Sequence, residues 1–240
     1  LFDSAAYALY ARDRRYLTPY GSYHLDELTE FPCPCEVCRR HSVSEVKHSA
    51  EVERLLALHN LYVTLAEISR IRQAIREGTL WEVVDERCRN HPRLLEGYRA
   101  FLDQAAVLEP RDRVSKKRFF YRGTESCRRT EVIRYQERLA SLNLQKEVII
   151  SLRGGVSTPL QLFLFKPPFG PFPLDLSETF PIGQSVIPGW DLDMVKQGCA
   201  GIRSLVQSHP DTKFTIISGE EWFDLIVREI PHAEVLRDLS

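Results

Sequence analysis

The segment FPCPCEVC, residues 31–38, constrains the fold of this chain more than any other stretch. It places three of the six cysteines within six residues, at 33, 35 and 38. Six cysteines among 240 residues are too sparse for a disulfide scaffold, and their clustering points to metal in a reducing compartment. C-x-C-x2-C is a compact three-thiolate unit. Zinc takes four ligands in a tetrahedron, and a tight loop lets neighbouring thiolates curl onto one ion. Pro32 and Pro34 stiffen that loop and lower the entropic cost of closing it. The fourth ligand is open among His41, His48, His59 and Cys88. His41 follows Cys38 closely enough to reach, whereas His59 in LLALHNLY would offer an imidazole from a rigid helix. The plain alternative is a helix-packed core histidine with free thiols. Three thiolates and one imidazole leave no open coordination position, so a site of this type is structural rather than catalytic.

The rest of the chain divides in two. Residues 4–12 read as a short helix, and RYLTPYGSYHLDEL as a hairpin or irregular loop around Pro19-Tyr20-Gly21. From Val46 to Ile75 there is no Pro or Gly, and apolar residues at 55, 58, 62, 65, 68, 71 and 75 predict one long amphipathic helix ended by Gly78. Two further helices follow, the second with Pro92 in its first turn. EPRDRVSKKRFF breaks the helical pattern, and the expected boundary separates 1–110 from 111–240. Beyond it RFFYRG, EVIISL, LQLFLF and KFTIIS read as strands. Helical stretches alternate with them, ending in EEWFDLIVREI. That βαβ-type alternation predicts a small α/β domain. KPPFGPFPLDLSETFPIGQSVIPGW is too rich in Pro and Gly to be regular.

Composition excludes several classes. Apolar residues are 43% and charged residues 27%, the balance of a soluble globular protein, and no apolar run is long enough for a membrane span. No signal peptide is apparent, so the expected compartment is the cytoplasm. The formal charge of −1 gives no global attraction to a polyanion, so any such partner must be met by local basic runs. The first residue is Leu in an apolar run, which reads as a start within a fold.

Four stretches carry a resemblance: LFDSAAYALYARDRRYLTPYGSYHLDEL, FPCPCEVC, RLLALHNLYVTLAEISRIRQAIREGTLWEVVDER and KPPFGPFPLDLSETFPIGQS. Together they resemble the archaeal tRNA-guanine transglycosylases of archaeosine synthesis, over nearly the whole chain. The resemblance implies one structural zinc ion per chain on Cys33, Cys35, Cys38 and His59. It also implies that Asp3 is the nucleophile that attacks C1′ of the target nucleotide, expels guanine from position 15 of the tRNA D arm and is displaced by 7-cyano-7-deazaguanine. On residue chemistry alone Asp3 is equally the N-cap of the helix that follows. The implied fold is the C-terminal part of a TIM-type (β/α)8 barrel with a zinc-binding subdomain, followed by a small α/β domain. Such a barrel needs about 250 residues on its own. The expectation is therefore that the N-terminal half, with its acid/base aspartate and base pocket, is missing, and that this chain alone is inactive. A homodimer is a further implication.

Two basic runs are candidate RNA surfaces. Arg12, Arg14 and Arg15 lie close in sequence to Asp3, and Lys116, Lys117 and Arg118 precede the aromatics of KKRFFYRG. Each has a plain alternative, an exposed helix end and a solvated linker leading into a buried strand. The competing functional reading is a non-catalytic, zinc-stabilised tRNA-binding or partner-binding subunit of the same family. An unrelated zinc-binding interaction module is a third.

Overall fold

A computed structural model describes residues 4–238. It forms two compact units, the first ending at residue 95 and the second beginning at residue 96. The division comes earlier than the expected one at 110, because the helical segment after residue 96 packs with the elements that follow it.

The first unit contains α1 (Ala6–Arg12), β1 (Arg15–Thr18), β2 (Gly21–His24), α2 (Glu36–Arg40), α3 (Val43–His48), α4 (Val52–Glu77) and α5 (Leu80–Cys88). The antiparallel β1–β2 hairpin pairs Arg15 with His24 and Thr18 with Gly21, across a two-residue Pro19-Tyr20 turn. Arg14 takes a left-handed φ of 53° to join α1 to β1. Its guanidinium is held by Asp26 at 3.3 Å and by the Lys47 carbonyl at 3.4 Å. α3 starts with a capping box in which Ser42 and Glu45 satisfy each other's backbone N–H groups. Ser49 then leaves the helical region, so the expected single helix from Val46 is interrupted before α4 begins. Gly78 closes α4 in the left-handed conformation, the C′ glycine expected from the sequence.

The face of α4 is the main correction to the periodicity argument. The expected apolar stripe is largely outside: Leu58, Tyr62, Leu65, Ile71 and Ile75 are exposed. The side turned into the unit carries Leu56, His59 and Asn60. The core there is small, formed by Ala11, Tyr16, Leu25, Val43, Val46 and Leu56. A polar pair can occupy the inward face because each polar atom finds a partner there.

The second unit begins within α6 (Pro92–Leu102). It continues through α7 (Ala105–Leu108), β3 (Phe119–Phe120), α8 (Thr130–Leu139), β4 (Glu147–Ser151), β5 (Gln161–Lys166), β6 (Gly170–Pro173), β7 (Ser185–Val186), α9 (Leu192–Ser208), β8 (Lys213–Ser218), α10 (Glu220–Glu229) and β9 (Glu234–Arg237). Five strands form one sheet in the order β6-β5-β4-β8-β9. β5, β4, β8 and β9 are mutually parallel, and β6 is an antiparallel edge. The buried sheet face carries Val148, Ile150, Phe163, Phe165, Phe214 and Ile216, as the pairing register requires. The α/β expectation is met.

Three strands were not legible in the sequence. β9 lies in a segment too short and charged to announce itself. The two-residue β7 and the edge strand β6 lie inside the Pro-rich segment expected to be irregular, and β6 shows how proline is accommodated. Pro171 and Pro173 are two apart on that edge strand, so both missing N–H groups face the same side. The Pro171 carbonyl on that side accepts from the Tyr135 hydroxyl at 2.8 Å. α9 crosses β6 closely enough that a Cβ on Gly201 would lie 2.8 Å from the Phe169 carbonyl oxygen.

A buried ionic cluster braces α8. The Glu131 carboxylate receives Arg129 at 2.6 Å and Lys116 at 3.1 Å, and all three are almost fully enclosed. Asp112 takes Lys116 and the Thr130 hydroxyl, and Arg134 pairs with Glu109. Burial alone would push the Glu131 carboxyl up. The charges of Arg129 and Lys116 outweigh it and bring the group down to about 2. A carboxyl lowered on folding adds stability that is complete above its unfolded pKa, and lost as pH falls from there through about 2. Glu131→Gln removes the carboxylate charge shared by the buried Arg129 and Lys116. It is expected to destabilise the second unit by about 3–5 kcal/mol at neutral pH in a denaturant titration, with the deficit shrinking as pH falls below about 4.

Candidate metal centre

The cysteine loop and α4 meet inside the first unit. Pro32 and Pro34 flank Cys33 in the sequence, Cys35 takes the N-cap position of α2 with ψ 166°, and Cys38 sits on the helix that follows. This geometry turns three sulfurs to one side. The Cys35 N–H donates to Cys33 Sγ at 3.4 Å. His59 enters from α4, 1% exposed, with Nδ1 at 3.4 Å from Cys35 Sγ and 3.4 Å from Cys38 Sγ. The four ligand atoms of Cys33, Cys35, Cys38 and His59 lie within 4.8 Å of one another. A tetrahedral ion with sulfur bonds of about 2.3 Å needs ligand separations of about 3.8 Å, so the set fits such an ion with small adjustment. All six cysteines are free thiols. His41, His48 and Cys88 are not part of this group.

The surroundings of His59 fix its role. Its Nε2 lies 2.9 Å from the Leu17 carbonyl, which makes Nε2 the protonated nitrogen and leaves the Nδ1 lone pair facing the thiols. Burial lowers its pKa, opposed by that hydrogen bond, so the ring is neutral and able to ligate. Tyr16 stacks on the imidazole with centroids 3.8 Å apart, and Phe31 stacks on Tyr16 at 5.1 Å. The Tyr16 hydroxyl reaches Cys38 Sγ at 3.4 Å. Burial pushes the Cys33 thiol up and the Cys38 thiol up to about 12. Buried thiols of this kind hold their protons until a cation replaces them.

Asn60 is the residue that sequence reasoning missed. It is completely buried, accepts the Leu17 N–H at 2.8 Å, and donates to the carbonyls of Tyr7 at 3.1 Å and Arg15 at 3.0 Å. One side chain thus ties α1 and β1 to α4. The available signal was a consecutive His-Asn pair on a helix whose periodic apolar residues lie elsewhere.

The other expected site residues are scattered. Asp3 lies outside the described residues. Arg12 and Arg15 are exposed, and Arg15 donates to the Ser22 hydroxyl at 3.1 Å. Arg14 is half-buried and held by Asp26 and Lys47. Lys116 is not available to a phosphate, because it is buried against Asp112 and Glu131. The hydrophobic environment accepts its ammonium only with those carboxylates in place. Lys117 and Arg118 are exposed, and the Arg118 guanidinium lies 5.6 Å from the Phe120 ring centre. Among the described residues no helix is long and apolar enough to cross a membrane.

Fold and site together define a mixed α/β protein whose first unit is closed by a Cys3His cluster of the structural-metal type. Residues 1–93 match the family described as queuine tRNA-ribosyltransferase. The tRNA-guanine(15) transglycosylase of Haloarcula marismortui is 46% identical over 242 residues, covering all of this chain and 49% of that protein. The enzyme of the same name from Methanosarcina barkeri is 41% identical over 233 residues, covering 96% and 47%. The one from Methanocaldococcus jannaschii is 44% identical over 205 residues, covering 78% and 32%. The chain belongs to the tRNA-guanine transglycosylase family. It spans about half the length, or less, of the curated relatives it matches.

Metal analysis of the purified chain is expected to return about one zinc ion per molecule. His59→Ala should lose it, whereas His41→Ala should keep it. Adding zinc to the metal-free chain in weak buffer near pH 8 should release protons from the thiols, and apparent affinity should rise with pH across the neutral range. Affinity independent of pH would exclude thiolate ligation.

Proposed function

We propose that this chain forms part of a tRNA-guanine(15) transglycosylase, a pentosyltransferase that exchanges guanine in the D arm of tRNA for 7-cyano-7-deazaguanine. The observation that carries this reading is the 46% identity to the Haloarcula enzyme along the entire chain. In this reading the first unit is the closing part of a TIM-type barrel with its zinc subdomain, and the second is an appended α/β domain. The barrel's earlier strands would come from the portion of the family fold that the relatives carry beyond the match. The exposed Leu58, Leu65 and Ile71 on α4 support a partner surface of that kind, since apolar residues at helical spacing outside a folded unit mark a face meant to be covered. The enzyme would work in the cytoplasm, where tRNA is its macromolecular substrate.

Asp3 carries the chemistry in this proposal. Its carboxylate attacks C1′ of nucleotide 15 and forms a C1′–O bond as the C1′–N9 bond to guanine breaks. Guanine leaves with the electron pair and takes a proton. The ring nitrogen of the incoming base then forms the new glycosidic bond at C1′, loses its proton and releases the aspartate. Two inversions give net retention, and a carboxylate suits both steps as nucleophile and leaving group. An ion held by Cys33, Cys35, Cys38 and His59 would have no ligand position left for substrate and would take no part in these steps. Those four residues would serve to tie together the loop, hairpin and helix that follow Asp3 in the chain. Arg12, Arg15, Lys117 and Arg118 are the exposed cations for the tRNA backbone.

A second reading is a non-catalytic, zinc-stabilised tRNA- or partner-binding subunit of the same family. Covalent trapping separates the two. The chain is joined to the remaining half of a relative and incubated with tRNA without an incoming base. A protein–RNA adduct stable to denaturing electrophoresis is expected, and Asp3→Asn should remove it while leaving zinc content unchanged. No adduct with either protein would leave the binding subunit as the surviving reading.

A further inference from the structure

The carboxyl end of the second unit's sheet contains a crevice of about 720 Å³. Numbered along the chain, its four parallel strands run in the order 2-1-3-4, as β5-β4-β8-β9. From β4 the chain turns to β5 on one side, and the later strands β8 and β9 lie on the other. The segments leaving β4 and β8 therefore diverge. In open parallel sheets the cleft at such a switch point is where ligands bind.

The lining of this crevice is specific. Arg153 follows β4, Gly219 follows β8 and Asp238 follows β9. Two of the chain's three tryptophans, Trp190 and Trp222, line it as well. Each is only partly buried and is backed by the core, and Trp190 is braced edge-on by Phe165 at 5.5 Å. Braced indoles of this kind are rigid platforms for a planar ring. Gly219 leaves room for the Arg153 stem, since a Cβ there would lie 3.2 Å from Arg153 Cδ. Of the carboxylates, Asp238 pairs with Arg153 at 3.5 Å and Glu220 with Arg237 at 2.9 Å. Glu221 has no ion-pair partner among the described residues and remains exposed at the crevice.

We propose that this crevice is a binding site for a guanine base, either of a free nucleoside or of an unpaired RNA nucleotide. Guanine alone among the common bases places two adjacent N–H donors on one edge and two acceptors, O6 and N7, on the other. A carboxylate accepts from the first edge, an arginine donates to the second, and an indole covers the ring. Glu221, Arg153 and the two tryptophans supply that set. Adenine and cytosine each put a lone pair where Glu221 requires a donor. The site stands whether or not the chain takes part in transglycosylation.

The test reads tryptophan fluorescence of the full chain carrying Trp81→Phe, so that emission comes from Trp190 and Trp222 alone. Guanosine is expected to quench saturably, with adenosine and cytidine at least tenfold weaker. Glu221→Gln, an exposed position, should weaken guanosine about tenfold with an unchanged melting curve. A single-stranded oligoribonucleotide containing one guanine separates the sources. Binding much tighter than guanosine assigns the site to RNA, and equal binding assigns it to the free nucleoside. Quenching should persist in Asp3→Asn, which separates this site from the trapping experiment. Failure of both guanosine and the oligonucleotide to quench saturably, equal responses to all three nucleosides, or indifference of guanosine to Glu221→Gln would each overturn the assignment.

Discussion

The first unit depends on one imidazole used from both sides. His59 turns Nδ1 toward the thiols of Cys35 and Cys38, and Nε2 toward the Leu17 carbonyl. A single ring therefore couples the cysteine loop, the hairpin and α4. The need for such a coupling follows from size, since a core built around six buried side chains gives limited hydrophobic stabilisation, and small cores are commonly supplemented by metal or disulfides. Asn60 repeats the device one residue later with three hydrogen bonds to the backbone of α1 and β1. Removing either would leave buried polar groups unpaired, which costs more than the bonds themselves contribute.

The two units solve the same problem with different chemistry. The second buries enough apolar surface from α8, α9 and one sheet face to have a continuous core. Its polar interior is an ion cluster around Glu131 rather than a metal clip. That cluster removes Lys116 from any role at the surface, while the neighbouring Lys117 and Arg118 remain outside. A basic run in sequence is thus split by folding into a structural half and an exposed half. The same unit leaves an aromatic crevice at the carboxyl ends of its strands, while the segment after β6 is fixed by the Lys166 ammonium donating to the Ile182 carbonyl at 2.6 Å.

Helix type, strand type and turn chemistry were legible where local signals dominate. Gly78 had to end α4, because a left-handed residue there is cheapest as glycine. The alternation of strands with helices after β3 followed from period and breakers alone, whereas around Pro19-Tyr20 those signals left a hairpin and an irregular loop both open. The burial of α4 was not legible. Its best apolar periodicity selects the face at 58, 62 and 65, whereas the packed face holds 56, 59 and 60. Periodicity reports which residues would gain from burial, not whether a covering element is present. β6 escaped for a different reason, since proline forbids a central strand but not an edge whose N–H groups point outward.

The sequence by itself determined three of the four donors and the family. Three cysteines on a proline-stiffened loop specify a soft, thiolate-rich site, because ligand type and close spacing are local properties. Which histidine completes the set, which nitrogen faces the sulfurs, and which lysine of 116 and 117 is spent inside were decided only by tertiary structure. Each depends on partners distant in the chain: Leu17 for His59, and Glu131 for Lys116. A residue's charge and donor capacity are written in its code, but its partner is a fact of three dimensions.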